Sequence, residues 1–152
     1  MDKIDELDRR ILVQLQRDSD LPLDDVADRV GLSRNAVWRR IKALETKGII
    51  TGRVAILDAG QLSLGLTVYL SIRTTNHQPD WLDKFARAVA QMPEIQGAYR
   101  MSGELDYLVR VRVADVAGYD RFYQRLIRKI DMSDVSASFV MESLKDTTEL
   151  PL

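Results

Sequence analysis

The sequence contains no cysteine and a single histidine, His77. The first absence removes disulfides, thiolate nucleophiles and cysteine-ligated zinc. The second removes every paired-histidine metal motif and leaves little room for histidine-based catalysis. His77 lies in a polar stretch beside Gln78 and reads as a surface loop residue. Long hydrophobic runs are missing as well: the apolar stretches are a few residues each, far below the roughly 20 that a membrane helix needs. The charged start (Asp2, Lys3, Asp5, Glu6) is no signal peptide. Secretion and membrane spanning are therefore not expected, nor is a resident metal or cofactor. No nucleophile and base stand out as a pair, so an enzyme is not expected either. What remains is a chain of 152 residues, 45% apolar and 30% charged, the composition of one soluble globular domain or two small ones.

The formal charge of −1 hides a strong asymmetry. Residues 1–32 carry five basic side chains against nine acidic ones. Residues 33–53 carry Arg34, Arg39, Arg40, Lys42, Lys47 and Arg53 against Glu45 alone. Attraction to phosphate acts over a Debye length of about 8 Å, so a local basic block suffices for binding nucleic acid whatever the total charge. A solvated charged helix face is the plainer alternative.

Apolar periodicity divides the chain in two. Leu7, Ile11, Leu12 and Leu15 mark an amphipathic helix over Asp5 to Asp18, with acidic residues at its N-terminal end. A second, short helix spans Leu23 to Val30 and stops at Gly31. A third runs from Arg34 to about Lys47, capped by Ser33, with Val37, Ile41 and Leu44 inward and Gly48 beyond its end. The tight glycine turn between the last two makes a helix-turn-helix. Ile49 and Ile50, the turn Thr51-Gly52, and Val54, Ile56 and Leu57 are expected to pair as a small wing. The polar, glycine-containing stretch 59–63 reads as a linker, giving a DNA-binding domain over 1–58 and a second domain over 64–152.

Beyond the linker the period changes to two. Leu66, Val68, Leu70 and Ile72 alternate with polar residues, and Tyr107, Val109, Val111 and Val113 do the same. Strands are also expected over Ile95 to Met101 and from Val135 to Met141. Helical stripes fall at Trp81, Leu82, Phe85, Ala88, Val89 and Met92, and at Tyr119, Phe122, Tyr123, Leu126, Ile127 and Ile130. The order βαββαβ is the ferredoxin-like arrangement, so the expected class is α+β. Tyr69, Leu108 and Val140 fall on the sheet face opposite the helices, which suggests a cover from a second copy.

On a helical wheel of the third helix, Asn35, Arg39 and Lys42 oppose the core residues, with Arg34 and Trp38 on one flank and Arg40 on the other. This face suits a DNA groove: Arg39 for a bidentate guanine contact, Asn35 for adenine or phosphate, Arg34, Lys42 and Arg53 for phosphates. Ser33 and Arg40 are included in the candidate surface. Trp38 is included too, although packing against the first helix or the wing is the first expectation for it. In the second half, the turn from Met101 to Tyr107 places Gly103, Glu104 and Asp106 between two strands. Free N–H groups beside a glycine can meet a carboxylate, and Glu104 or Asp106 can accept the ammonium of the same zwitterion. An ordinary hairpin turn with solvated acids explains the same residues.

The run LDRRILVQLQRDSDLPLDDVADRVGLSRNAVWRRIKALETKGIITGRVAILD resembles the N-terminal domain of the Lrp/AsnC transcription regulators. MPEIQGAYRMSGELDYLVRV resembles their effector-binding half, the RAM-type domain. The resemblance covers essentially the whole chain. Its most specific pieces are GLS followed by RRIKALETKGII, and the Gly-x-x-Asp-Tyr of SGELDYL. The ending SDVSASFVMESLKDTTELPL looks most like the subgroup that responds to cysteine and activates a cysteine-degrading enzyme. Pro22 departs from the family pattern, which has a capping Ser or Thr there.

The resemblance implies a winged helix-turn-helix regulator that binds double-stranded DNA and a small amino-acid effector held at an interface between subunits. The implied effector set is Met101, Gly103, Glu104, Asp106 and Tyr107, with Ser136, Ser138, Thr147 and Thr148 at its edge. It also implies a dimer assembling to a tetramer or octamer, in the cytoplasm and associated with the nucleoid. The alternative is an architectural DNA-binding protein whose second domain only oligomerises.

Overall fold

A computed structural model describes residues 4–75 and 78–152; the surface position expected for His77 lies outside them. Two compact units are present: Met1–Ile56 together with Lys145–Leu152, and Leu57–Leu144.

The first unit is built on α1 (Glu6–Arg17), α2 (Leu23–Val30) and α3 (Arg34–Thr46). Asp5 opens α1 with a capping box: its carboxylate accepts the Asp8 amide at 2.8 Å, and the Asp8 carboxylate accepts the Asp5 amide at 3.3 Å. Pro22 begins α2 without a side-chain cap, as the missing hydroxyl requires, and the acids Asp24 and Asp25 sit in the first turn. Gly31 ends α2 in the left-handed region at φ +72°, where a Cβ would be strained. That turn aims α3 across α2, and Ile11, Val26, Ala27, Val30, Val37 and Ile41 close over one another as a core.

Two sequence expectations change in this unit. The wing strands are not formed in the single chain. The amides of Ile49 and Ile50 bond back to the Leu44 carbonyl, and residues 51–57 form no strand pairing, Val54 83% exposed. An isolated two-stranded ribbon is marginal in water, so β-branched residues alone do not close it. The second change concerns residues 145–152, expected in the other domain. They lie with the helices: the Gln16 carboxamide donates to the Leu150 carbonyl at 3.2 Å and accepts the Leu150 amide at 2.6 Å, and Arg17 pairs with Glu149 at 2.9 Å.

The second unit contains β1 (Leu66–Arg73), α4 (Pro79–Gln91), β2 (Ile95–Arg100), β3 (Tyr107–Val113), α5 (Val116–Lys129) and β4 (Asp134–Phe139). The four strands form one antiparallel sheet in the order β2-β3-β1-β4. Val68, Leu70 and Ile72 of β1 stand beside Val111, Val109 and Tyr107 of β3, all buried under Trp81, Phe85, Phe122 and Leu126. This is the α+β, βαββαβ arrangement that the alternation implied. Leu82 and Ile127, assigned to the helical stripes, are about 40% exposed at the stripe margins. The opposite sheet face presents Tyr69, Ser71 and Arg73 of β1 beside Ser138, Ser136 and Asp134 of β4.

Candidate nucleic-acid interface and effector turn

The α3 helix is positioned by its buried stripe, and its start is fixed by Ser33, whose hydroxyl accepts the Ala36 amide at 3.3 Å. Ser33 is therefore an N-cap first, with its hydroxyl already engaged. Asn35, Arg39 and Lys42 project from the exposed side at positions i, i+4 and i+7. Among the described residues Arg39 has no carboxylate within salt-bridge distance, and Asn35 makes no side-chain hydrogen bond. Both therefore keep their donors for a ligand.

The other cations of the block are held in graded fashion. Arg34 is 3.8 Å from Asp24, a loose exposed pair. Lys42 bonds Glu45 at 2.8 Å and Arg53 reaches the same carboxylate at 3.3 Å. The Lys42 hydrogen bond, helped by the Arg53 charge, holds Glu45 below its usual range. These three are exposed and exchangeable, as phosphate contacts must be. Arg40 is different. Its guanidinium donates to Asp5 and Asp8 at 2.7 Å each, tying α3 to the start of α1. Those bonds raise the Arg40 pKa above its ordinary value, Asp5 first and Asp8 second. As placed, Arg40 joins two helices rather than extending the Asn35–Arg39–Lys42 row.

Trp38 does not pack in the core, contrary to its first expectation. It is 53% exposed, because Val37 takes the inward position and the next residue turns outward by about 100° on a helix. An exposed indole flanking the basic row leaves it available to a ligand.

In the second unit the turn between β2 and β3 is closed by the Met101 amide on the Asp106 carbonyl at 2.8 Å. Gly103 has φ +111° with open space where a Cβ would stand, so the glycine serves backbone conformation and leaves the turn accessible. Met101 is exposed, and the Glu104 side chain is 92% exposed, 4.0 Å from Arg73. Asp106 is more committed than a turn acid: its Oδ2 accepts the Thr74 amide at 2.8 Å, and its own amide donates to the Ile72 carbonyl at 3.0 Å.

Not every residue assigned to this site gathers there. Tyr107 is 8% exposed and packs its ring against Phe85 and Trp81, with centroids 4.7 and 5.6 Å apart. Its place in the alternation of β3 turns it toward the helices, so its side chain is core. Ser136 and Ser138 stand on the open sheet face, opposite Ser71 and Tyr69. Thr147 and Thr148 belong to the other unit, where the Thr147 hydroxyl accepts the Glu149 amide at 3.1 Å. Thr74, a buried polar residue that ties β1 to the turn, carries no sequence signal; no pattern marks a backbone amide awaiting a distant carboxylate.

Comparison with known proteins agrees with both halves. Residues 4–51 match the model of a winged helix-turn-helix DNA-binding domain, and residues 67–150 match the Lrp/AsnC ligand binding domain. The chain is 45% identical over 150 residues to the DNA-binding transcriptional activator DecR of Escherichia coli K12, covering 98% of this chain and 99% of that one. It is 44% identical to the glutamate uptake regulatory protein of Zymomonas mobilis, covering 99% and 92%. Its fold superposes on an AsnC family transcriptional regulator from Agrobacterium tumefaciens with a TM-score of 0.95, at 51% identity over 97% of each chain. A transcriptional regulator from Neisseria meningitidis, solved as a complex with L-methionine, superposes at 0.93 with 31% identity, covering 98% and 97%. With a DNA-binding helix-turn-helix, a ligand-binding sheet domain and relatives matched along nearly their whole length, the chain belongs to the Lrp/AsnC family of transcriptional regulators.

Proposed function

We propose that this regulator reads DNA with the row Asn35, Arg39 and Lys42, flanked by Arg34, Trp38 and Arg53, and that a small amino acid bound near Met101–Asp106 tunes that binding. The observation that carries the DNA assignment is Arg39: among the described residues it is the arginine of α3 without an ion pair, while Arg34 and Arg40 of the same helix are paired. A planar fork with free donors matches the O6 and N7 acceptors of guanine.

The effector reading rests on the accessible turn at Gly103, the exposed Glu104 and the family's ligand-binding half. Of the relatives, the N. meningitidis protein is described with L-methionine. The ending of this chain instead favours cysteine. Self-association supplies the missing cover for the open sheet face and for Val54 and Ile56, and spaces two recognition helices for half-sites about 34 to 36 Å apart. We infer a dimer that assembles further to a tetramer or octamer, acting in the cytoplasm on the nucleoid. Thermal-shift measurement against the twenty amino acids, followed by operator titration with the best of them, tests the reading. A true ligand at 100 times its Kd stabilises by about 2.7 kcal/mol. A set of twenty flat responses would reject the effector assignment.

A further inference from the structure

The second unit carries a charged feature that the effector turn does not use. A cleft of about 550 Å³ lies along the outer side of α5, walled by Arg121, Gln124, Arg125 and Arg128 and by Arg112 at the end of β3. Arg121, Arg125 and Arg128 follow one another at i, i+4 and i+7, so the helix stacks them along one side. Leu64 and Val113 contribute apolar lining.

The carboxylates present neutralise only part of this charge. Glu94, from the turn between α4 and β2, binds Arg125 directly and holds the middle arginine in place. Asp120 stands on the rim. Among the described residues Arg112, Arg121 and Arg128 have no carboxylate within salt-bridge distance; Arg112 reaches only the Leu64 carbonyl, at 3.4 Å. Other arginines do find carboxylates, as Arg17 does with Glu149, Arg40 with Asp5 and Asp8, and Arg53 with Glu45, whereas here three stand together without one. Guanidinium groups gathered in one cleft repel one another, and an anion with several oxygens relieves the repulsion while filling their parallel donors. A solvated helix face would need neither Arg112 from a strand in the same cleft nor a central arginine pinned by an acid from another element.

We propose that this cleft binds phosphate groups, with Arg112, Arg121 and Arg128 as direct ligands and Arg125 as a positioned fourth charge. The phosphates come from the backbone of bound DNA or from a free phosphorylated compound, and the two sources separate experimentally. The DNA source rests on the function proposed above; the free source does not.

The test uses the full chain and a double variant, Arg121→Ala with Arg128→Ala, both exposed positions outside the core. Inorganic pyrophosphate serves as the free probe and an operator duplex as the polymer. If the cleft engages DNA, the slope of log affinity against log salt becomes shallower by about two, since each phosphate contact contributes roughly 0.9. If it takes a free compound, the slope is unchanged, but pyrophosphate raises the Tm of the parent chain and not of the variant. Replacing both arginines by lysine should restore the slope or the Tm rise in part, because charge returns without the fork. A variant with the parent's slope and the parent's response to pyrophosphate overturns the proposal. If the parent itself fails to bind duplex DNA, the DNA assignment of α3 falls, and the pyrophosphate arm still decides the cleft.

Discussion

Asp106 and Thr74 are joined across the end of the sheet: one carboxylate oxygen of Asp106 accepts the Thr74 amide at 2.8 Å, which ties the exit of β1 to the turn before β3. The role proposed for Asp106 cannot be tested by truncation alone, because alanine removes the hydrogen bond that holds the turn together with the charge. Asparagine keeps an acceptor for Thr74 and removes only the charge.

Asp106→Asn should therefore retain most of the stability of the parent while weakening the amino-acid response. Asp106→Ala should lose about 1 to 3 kcal/mol in addition, the cost of leaving a buried amide unsatisfied. Chemical denaturation and operator titration with the effector measure the two effects separately. An asparagine variant that responds with unaltered effector affinity would show that the carboxylate only braces the turn.

Arg39 and Arg40 are neighbours with opposite expectations. Arg39→Ala should cost about 1 to 3 kcal/mol in operator affinity and relax preference at one base position, with little change in stability. Arg40→Ala should instead lower unfolding stability, by up to about 1 kcal/mol for a largely surface pair, and leave base preference intact. A binding series on single-base variants of the operator, with melting curves for both proteins, distinguishes them.

Trp38 and Trp81 are the two tryptophans of the chain. Trp81 is buried, stacked on Phe85, with its Nε1 donating to the Asp131 carbonyl at 2.6 Å. Emission changes on adding DNA should come from the exposed Trp38 and vanish in Trp38→Phe. Persistence of the change in that variant would place the indole away from the DNA.

The junction of α1 and α3 should be acid-sensitive. The Asp8 backbone hydrogen bond and the Arg40 guanidinium together hold Asp5 below its ordinary value of 3.8. A lowered folded value means that this contribution is complete above that ordinary value. It is lost as the pH falls through the lowered one. Unfolding midpoints followed from pH 6 to pH 2 should decline less steeply at the acid end in Asp5→Asn, which has no proton to gain.

Much of this architecture is readable because it repeats. Val37, Ile41 and Leu44 mark the inner side of α3, and the β1 and β3 alternations place every second residue in the core. The Asn35–Arg39–Lys42 row follows from the same wheel. What repeats cannot report is pairing between distant segments. By its local sequence Arg40 is a member of the basic face, since nothing nearby announces that Asp5 and Asp8 wait for it some thirty residues upstream. Family likeness places Tyr107 in the effector set, although its own alternation assigns it to the core. Thr147 and Thr148 carry no periodic signal, and only the Gln16–Leu150 and Arg17–Glu149 contacts fix where their segment lies.

Those last contacts make the helical unit discontinuous in sequence: its body ends at Ile56, the whole of Leu57–Leu144 intervenes, and Lys145–Leu152 returns to it. During synthesis the three helices emerge and can close their core while the segment that completes the unit has yet to be translated. The returning segment must therefore dock after the sheet domain has been made, a late, non-local step. A nascent chain halted between these segments would present Leu12, Leu15 and the 49–56 stretch without Leu150 and Leu152, which line one groove of about 560 Å³ with them once 145–152 has docked.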